Sequence, residues 1–202
     1  MPSEESSLAT RAHLVEVALD AFAERGFHGA SLAAIARELD ITKQALLHHF
    51  GRKEKLYGEV LQRVSSRYEA LIDGAEEGPG APEEKLERFL VTLHHEAMDH
   101  TRESRLLVRE LLDNRRRAER AERWYLEGFL SRLVAMVRRT AAWRDATDAE
   151  AFALVYQLLG AVTYFSISVP TLTRMYGADG FEARREAFPS VLAALTRSIS
   201  SA

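Results

Sequence analysis

The 202-residue chain contains no cysteine. This absence excludes disulfide scaffolds, thiol catalysis and cysteine-ligated metal sites. The sequence also lacks a glycine-rich phosphate loop, a nucleophile elbow and an H-E-x-x-H motif. Aspartates and glutamates are plentiful, but their spacing singles out none of them. We therefore expect a protein that is not an enzyme and that needs no cofactor.

An excess of positive charge is missing as well, since the formal net charge is −3. The first 55 residues carry seven Lys/Arg against eight Asp/Glu. Residues 41–55 are the exception, with four basic residues against Glu54 alone and with His48 and His49 alongside. If the protein binds nucleic acid, attraction to phosphate must therefore be concentrated in this short stretch.

The sequence shows neither a signal peptide nor a clear membrane segment. Residues 1–7 are polar and acidic rather than basic and then apolar, so we expect a cytoplasmic protein. Residues 151–169 lack any charge and have the length of a membrane span. A helix buried on two sides has the same composition, and the polar residues Gln157 and Thr163 favour that alternative. We therefore expect no contact with a membrane.

Helical periodicity runs through almost the whole chain, and no convincing strand pattern is present. An apolar stripe predicts a first helix over about residues 8–25, and Gly26 is placed to end it. Ser31 and Thr42 are predicted to cap two short helices, the second of which ends before Gly51. This spacing is typical of a helix-turn-helix. On spacing alone, an ordinary three-helix corner of another all-α protein explains it equally well.

The rest of the chain predicts a helical bundle. Breakers and acidic residues over 76–83 indicate a loop. The predicted helices cover residues 53–73, 83–100, 103–114, 117–142, 147–169 and 181–200. We expect the last two helices to form a four-helix bundle with a second copy across a two-fold axis. The candidate residues for this dimer interface are Phe152, Leu159, Gly160, Phe188, Val191, Leu192, Leu195 and Ile199.

The N-terminal residues carry a family resemblance. The run Phe22-Ala23-Glu24-Arg25-Gly26-Phe27 is followed without a gap by the further matching positions Ser31, Ile35-Ala36, Ile41-Thr42-Lys43, Phe50, Lys53-Glu54 and Leu56. This pattern resembles the N-terminal signature of TetR/AcrR-type transcriptional regulators. Asp40 stands where the family usually has glycine, and Leu47 stands where it commonly has tyrosine.

The resemblance implies an all-α fold with an N-terminal three-helix helix-turn-helix head, residues 8–55, joined to a helical-bundle body, residues 56–202. The body would bind a ligand and dimerise. It also implies a mechanism in which a dimer blocks transcription on a palindromic operator of double-stranded DNA. A small-molecule effector entering the body would spread the two heads and release the DNA. A helical adaptor or ligand-binding protein that does not bind DNA is the alternative.

The predicted recognition helix assigns roles to individual side chains. Lys43 and Gln44 begin this helix and are expected to contact base edges, because lysine donates to guanine and glutamine pairs with adenine. Ala45 is small enough to touch a thymine methyl group. We expect the remaining DNA-contacting residues to meet mainly phosphate, and these are Ser31, Thr42, His48, His49 and Lys53. Either histidine could instead pack against the first helix.

The body offers candidates for a ligand pocket but no convincing metal site. Aromatic and polar residues on its helices suit a mostly apolar cavity. These residues are Phe89, His94, Trp124, Tyr125, Phe129, Tyr156 and Tyr164, and each of them could equally be ordinary core. Two helical pairs, His95 with Asp99 and Glu96 with His100, lie at i, i+4, but two ligands do not make a metal site.

Overall fold

The computed structural model describes the backbone of residues 4–113 and 125–201 and the side chains of residues 11–112 and 125–201. All regular structure in these residues is helical, which confirms the all-α prediction. The helices are α1 Glu4–Gly29, α2 Leu32–Glu38, α3 Lys43–Phe50, α4 Lys53–Glu77, α5 Pro82–Asp99, α6 Thr101–Asp113, α7 Glu127–Arg138, α8 Asp148–Ile167 and α9 Val169–Ser200, with a short 3₁₀ helix at Ala141–Trp143.

Local chemistry sets the boundaries of the first three helices. Gly26 has a φ of 68° and interrupts α1, and Gly51 has a φ of 71° and follows α3, as the sequence predicts. The hydroxyl of Thr42 caps α3 by accepting from the Ala45 N–H at 3.0 Å. Ser31 occupies the N-cap position of α2, but its hydroxyl accepts no capping hydrogen bond. The predicted capping role of the Ser31 hydroxyl is therefore wrong.

Two predicted helix boundaries in the body are also wrong. Within the described part of the predicted helix over 117–142, Tyr125 and Leu126 form a turn and α7 covers only Glu127–Arg138. The predicted gap after residue 169 is largely helical, because α9 begins at Val169 and is interrupted only at Gly177, where φ is 72°. The loop after α4 is found where the breakers predict it.

Contacts between Cα atoms divide the chain into two compact units. The first, here called the head unit, contains the described residues of 1–64 and 102–125. The second, here called the body unit, contains residues 65–101 and the described residues of 126–202. The sequence placed the whole of α6 in the body, whereas residues 102–113 of α6 cluster with the head.

The head unit is built on an apolar core between α1 and its neighbours. The ring of Phe22 is fully buried and lies 4.8 Å from that of Tyr57, edge to face. The ring of Phe27 lies 5.1 Å from that of Tyr57. The Tyr57 hydroxyl donates to a carboxylate oxygen of Glu110 on α6 at 2.5 Å. This core supports α2 and α3, which are too short to be stable alone.

Arginines of α6 hold it against α1 within the head unit. Arg102 donates to Glu16 at 2.6 Å and to Asp20 at 3.1 Å. Arg109 Nε donates to the backbone carbonyl of Ala23 at 2.8 Å, near the point where Gly26 interrupts α1. These contacts account for the clustering of residues 102–113 with the head.

The body unit is a bundle in which α5 packs against α7, α8 and α9. Its apolar core includes the fully buried rings and side chains of Phe89, Leu90 and Val155. The indole of Trp143 donates to the carbonyl of Ile199 at 2.7 Å, which fixes the end of α9. The bundle arrangement agrees with the sequence prediction.

Only one side of helix α8 is buried. Among the described residues, it is the helix long and apolar enough to cross a membrane by length and composition. Its most apolar window has a mean hydropathy of 1.3, and 28% of that window is buried. Leu154, Val155 and Leu158 face the bundle, whereas Tyr156 is 50% exposed. A large part of its apolar surface therefore has no cover from its own chain.

Candidate nucleic-acid interface

Helix α3 presents one apolar face to the head and one polar face to solvent. Leu46 and Phe50 are 1% and 2% exposed and belong to the core. Thr42, Lys43 and Gln44 are exposed at the beginning of the helix. The structure therefore brings the predicted base-contacting side chains together at one accessible helix end. A helix anchored on one face and polar on the other suits insertion into a major groove.

A tight turn joins α2 to α3. Asp40 has a φ of 53°, which is a left-handed conformation. The family usually has glycine at this position. Aspartate tolerates this conformation better than most residues, because its short side chain can hydrogen-bond locally. The N–H of Ile41 donates to the carbonyl of Ala36 at 3.0 Å, which closes the turn. The substitution at Asp40 thus preserves the helix-turn-helix geometry.

The predicted phosphate-contacting residues differ in their surroundings. His48 is exposed and His49 is partly exposed, with their ring centroids 6.1 Å apart. Lys53 Nζ lies 4.8 Å from the ring centroid of Phe27, a cation–π distance. Partial burial lowers the pKa of Lys53, and the charge of Glu54 opposes that effect. Ser31 is exposed at the start of α2, and Ala45 is partly exposed on α3.

Sequence reasoning missed Arg11 as a residue of this region. Its guanidinium donates to the His49 carbonyl at 2.9 Å and, through Nε, to Glu59 at 2.9 Å. The guanidinium carbon also lies 4.5 Å from the centroid of the Phe50 ring. The only signal in the sequence is an isolated cation one turn before the apolar stripe that begins at Leu14. A contact across 38 residues of sequence cannot be inferred from that signal.

The predicted ligand-pocket residues separate into four groups, of which the exposed tyrosines of α8 are the last. Phe89, His94 and Phe129 are buried in the body unit, at 0%, 1% and 3% exposure. Tyr125 is half-buried and belongs to the head unit. Trp124 lies outside the described residues.

Tyr156 and Tyr164 do not face the core of their own chain. They are 50% and 74% exposed on α8. The prediction that they line an interior pocket is therefore wrong. Their spacing of eight residues puts them on the side of α8 opposite the buried residues Val155 and Val162. Sequence periodicity could not decide which apolar side of this helix faces inward.

His94 lies in an aromatic cluster of the body formed with Phe165, Phe181 and Phe188. Its ring stacks on Phe188 at 4.6 Å and lies 5.7 Å from Phe165. Burial, followed by the charges of His95 and Arg185, lowers the pKa of His94 to about 4. Its Nδ1 atom is buried and has no hydrogen-bond partner among the described residues. A neutral imidazole with an unsatisfied nitrogen is therefore enclosed among aromatic rings.

Of the eight predicted dimer-interface residues, four are exposed, three are partly exposed and one is buried. Phe152, Val191 and Leu195 are 40%, 65% and 48% exposed. Gly160 is exposed, and a Cβ placed there would meet nothing within 4 Å. Leu159 and Ile199 are partly exposed.

Leu192 and Phe188 make most of their contacts within their own chain. Leu192 is 4% exposed, and Phe188 is partly exposed and stacks on Phe165 at 4.2 Å. Neither residue therefore offers a large free surface to a second copy. The predicted interface residues of α9 thus include one buried and one half-buried residue besides the exposed ones.

Among the described side chains, no group of three or more His, Asp or Glu residues is arranged to hold a metal ion. Glu96 Oε2 lies 3.6 Å from His100 Nε2 and 2.7 Å from Arg67 Nη2. The Glu96 carboxylate is thus held by an arginine within the body unit.

Comparisons with known proteins agree with this arrangement. Residues 14–60 match the family model described as bacterial regulatory proteins, tetR family. The HTH-type transcriptional regulator RutR of Escherichia coli (strain K12) is 31% identical over 104 residues, which cover 52% of this chain and 49% of RutR. In sequence, the chain thus spans about half the length of the curated relatives RutR and AcrR that it matches.

Solved structures match over nearly the whole chain. A TetR-like transcriptional regulator from Rhodococcus sp. RHA1 has a TM-score of 0.66 at 22% identity, covering 97% of this chain and 96% of that one. The ketosteroid transcriptional regulator KstR2 of Mycobacterium tuberculosis has a TM-score of 0.65 at 20% identity, covering 92% and 93%. At this identity the likeness shows the fold of the chain.

The fold and the site define an all-helical protein with an N-terminal helix-turn-helix domain. Its N-terminal residues 14–60 match the tetR family model, and the curated relatives that resemble the chain are transcriptional regulators.

Proposed function

We propose that the protein is a dimeric transcriptional repressor that binds an inverted-repeat operator through α3 and is released by a small molecule. The observation that carries this proposal is the exposed polar start of α3 on a buried apolar base. Lys43 and Gln44 project from a helix whose Leu46 and Phe50 are almost fully buried. The comparisons support the same function, since the curated relatives are transcriptional regulators and the family model matches residues 14–60, which include α3.

Binding of double-stranded DNA is tested by selection from a random pool. The full chain is incubated with random duplexes, and bound sequences are recovered and read. Two copies related by a two-fold axis are expected to enrich an inverted repeat with half-sites about 34–36 Å apart. A helical adaptor or an enzyme would enrich nothing, and that result would overturn the proposal.

Two variants separate base contacts from phosphate contacts. Gln44→Ala is expected to relax preference at one position of each half-site, because glutamine pairs with a single base. Lys53→Ala is expected to weaken all sequences alike, because phosphate contacts carry no sequence information. Binding of both variants to a set of single-base operator variants is measured. Equal losses on every sequence for Gln44→Ala would contradict the base-contacting role.

The uncovered apolar side of α8 supports the homodimer. Phe152, Tyr156 and Tyr164 follow one another along this side, each substantially exposed. Val191 and Leu195 of α9 are exposed as well. A second copy of the chain would cover this surface, and Gly160 would allow two helices to approach closely. Sedimentation of the purified chain at micromolar concentration tests this proposal, and a monomer would contradict it.

The aromatic cluster of the body is the proposed site of the effector. Leaving a buried polar atom without a partner costs about 1–3 kcal/mol, so Nδ1 of His94 is a place where a polar group of a ligand would be favoured. The surrounding rings of Phe165 and Phe188 suit an apolar molecule. The effector is therefore proposed to be a largely apolar compound with one hydrogen-bonding group.

The effector site is tested by release of labelled operator DNA. A panel of small molecules is screened for compounds that release the selected duplex from the wild-type protein. Any such compound is expected to lose potency on His94→Phe, which keeps a stacking ring and removes the nitrogens. Thr92→Ala, an exposed change on the same helix as His94, serves as the control and should respond like the wild type. Unchanged potency on His94→Phe would show that the effector does not bind at His94.

A further inference from the structure

Arg11 connects three elements of the head unit at the end of α3. The Nη1 group donates to the carbonyl of His49 in the last turn of this helix at 2.9 Å. The Nε group donates to Glu59 of α4 at 2.9 Å, and Nη2 also pairs with the Glu59 carboxylate. The guanidinium lies over the Phe50 ring with its carbon 4.5 Å from the centroid.

These contacts act on a group that the helix itself leaves unsatisfied. The last carbonyls of an α-helix have no intrahelical N–H partner, and a cation at this end is favoured by the helix dipole. The His49 carbonyl is one of these groups, since α3 ends at Phe50 and Gly51 turns away with a positive φ. Arg11 thus ties the end of α3 to α1, and Glu59 fixes the guanidinium from α4.

The opposite end of α3 carries the side chains proposed to contact bases. The helix has only eight residues, so Gln44 and His49 are separated by little more than one turn. A small change in orientation at the last turn therefore moves Lys43 and Gln44 relative to the groove. Base contacts tolerate such movement poorly, because bidentate pairing fixes both distance and direction.

We propose that Arg11 is a positioning residue for base recognition, acting through the His49 carbonyl and Phe50, and that Glu59 holds it in place. This inference rests on the proposed DNA-binding function. Lysine in place of Arg11 would keep the charge, but it lacks the planar fork that serves the carbonyl, the carboxylate and the ring together.

The experiment uses the full chain and two duplexes, the selected inverted repeat and the same duplex with scrambled half-sites. The key variant is Arg11→Lys, with Glu59→Gln as the second variant and Arg25→Gln as the control. Arg25 is exposed on the same helix. Dissociation constants are measured over a series of salt concentrations, and thermal unfolding is recorded for each protein.

Arg11→Lys is expected to weaken binding to the inverted repeat by about tenfold per half-site, which is within the range that one bidentate base contact contributes and that its misalignment would lose. Binding to the scrambled duplex should change by less than about twofold, since charge is retained, and the salt dependence should keep its slope. Arg25→Gln should reduce binding to both duplexes alike, leaving their ratio unchanged.

Glu59→Gln separates positioning from simple electrostatics, because the two explanations predict opposite signs. Removing a negative charge from the head strengthens binding to all DNA if electrostatics alone decides. If Arg11 is held by Glu59, binding to the inverted repeat weakens while binding to the scrambled duplex does not.

Three results would overturn the inference. An unchanged ratio between the two duplexes for Arg11→Lys, with only a lower unfolding temperature, would show a purely structural residue. A shallower salt slope with equal losses on both duplexes would show a direct phosphate contact. If the wild-type chain enriches a duplex and neither Arg11→Lys nor Glu59→Gln changes its binding, this inference alone is refuted. If the wild-type chain enriches no duplex, the proposed function itself is refuted.

Discussion

The stability of the body unit should depend on pH through one side chain, His94. Its ring is 1% exposed and stacks on Phe188, with Phe165 on a neighbouring helix. Burial is the main cause that lowers its pKa from 6.5 to about 4, and the nearby His95 and Arg185 add to the effect. The folded body therefore accommodates the neutral imidazole and resists its protonation.

The size of the effect follows from the two pKa values. Between pH 6.5 and about 4, the unfolded chain binds a proton that the folded chain does not, so stability falls as the pH falls through this window. Above pH 6.5, His94 is neutral in both states and the folded protein has its full stability with respect to this group. One pKa unit corresponds to about 1.4 kcal/mol, so the loss from neutral pH to pH 4 is about 3 kcal/mol.

Chemical denaturation of the wild type and of His94→Phe measures this loss. Both proteins are unfolded at one fixed concentration over a pH series from 7.5 to 4, because the proposed dimerisation would make apparent stability depend on concentration. All other titrating groups are shared, so the difference in the free energy of unfolding isolates His94. Phenylalanine keeps the stacking ring and removes the unpartnered nitrogen, so at pH 7 it should be neutral or stabilising.

The difference between the two proteins should shift by about 3 kcal/mol in favour of His94→Phe on going from pH 7 to pH 4. Thr92→Ala, an exposed change on the same helix, provides the control and should follow the pH dependence of the wild type. Parallel curves for the wild type and His94→Phe would show that His94 titrates as in an unfolded chain. That result would refute its enclosure among the rings.

Three further changes test the remaining structural claims. Thr42→Ala should destabilise the protein by about 1 kcal/mol because it removes the cap on the Ala45 N–H, whereas Ser31→Ala should cost much less, and thermal unfolding compares the two. Gly26→Ala should destabilise by about 1–2 kcal/mol, since it places a side chain at a φ of 68°, and an unchanged melting temperature would contradict the break in α1. Tyr156→Glu should convert the proposed dimer to monomer in sedimentation experiments without lowering the helical circular dichroism signal, because it puts a charge on the exposed side of α8.

The head could be predicted closely from sequence because its boundaries follow local rules. Gly26 and Gly51 end helices through a conformation that other residues rarely adopt, and Thr42 caps through a hydrogen bond three residues away. Ser31 shows the limit of such rules. A hydroxyl at an N-cap position can also turn to solvent, and the sequence does not state which orientation it takes.

The contacts that hold the head together could not be predicted in the same way. Arg11 and Glu59 are separated by 48 residues, and Arg102 and Asp20 by 82. Periodicity identifies which side of a helix is polar, but it does not say which carboxylate or carbonyl another helix will present. For this reason the sequence assigned the whole of α6 to the body, although residues 102–113 cluster with the head.

Helix α8 shows why interior and interface residues were confused. Val155 is fully buried and its neighbour Tyr156 is half exposed, although both are apolar enough to be core. When a helix is apolar on all sides, its sequence does not show which side packs against its own chain and which side packs against a partner. The packing of α5, α7 and α9 on α8 decides this, and Leu154 and Leu158 lie on the covered side. The residues of α8 that remain exposed, Gly160 among them, form the surface proposed to contact a second copy. The two tyrosines that the sequence assigned to the ligand pocket therefore lie on the proposed dimer interface.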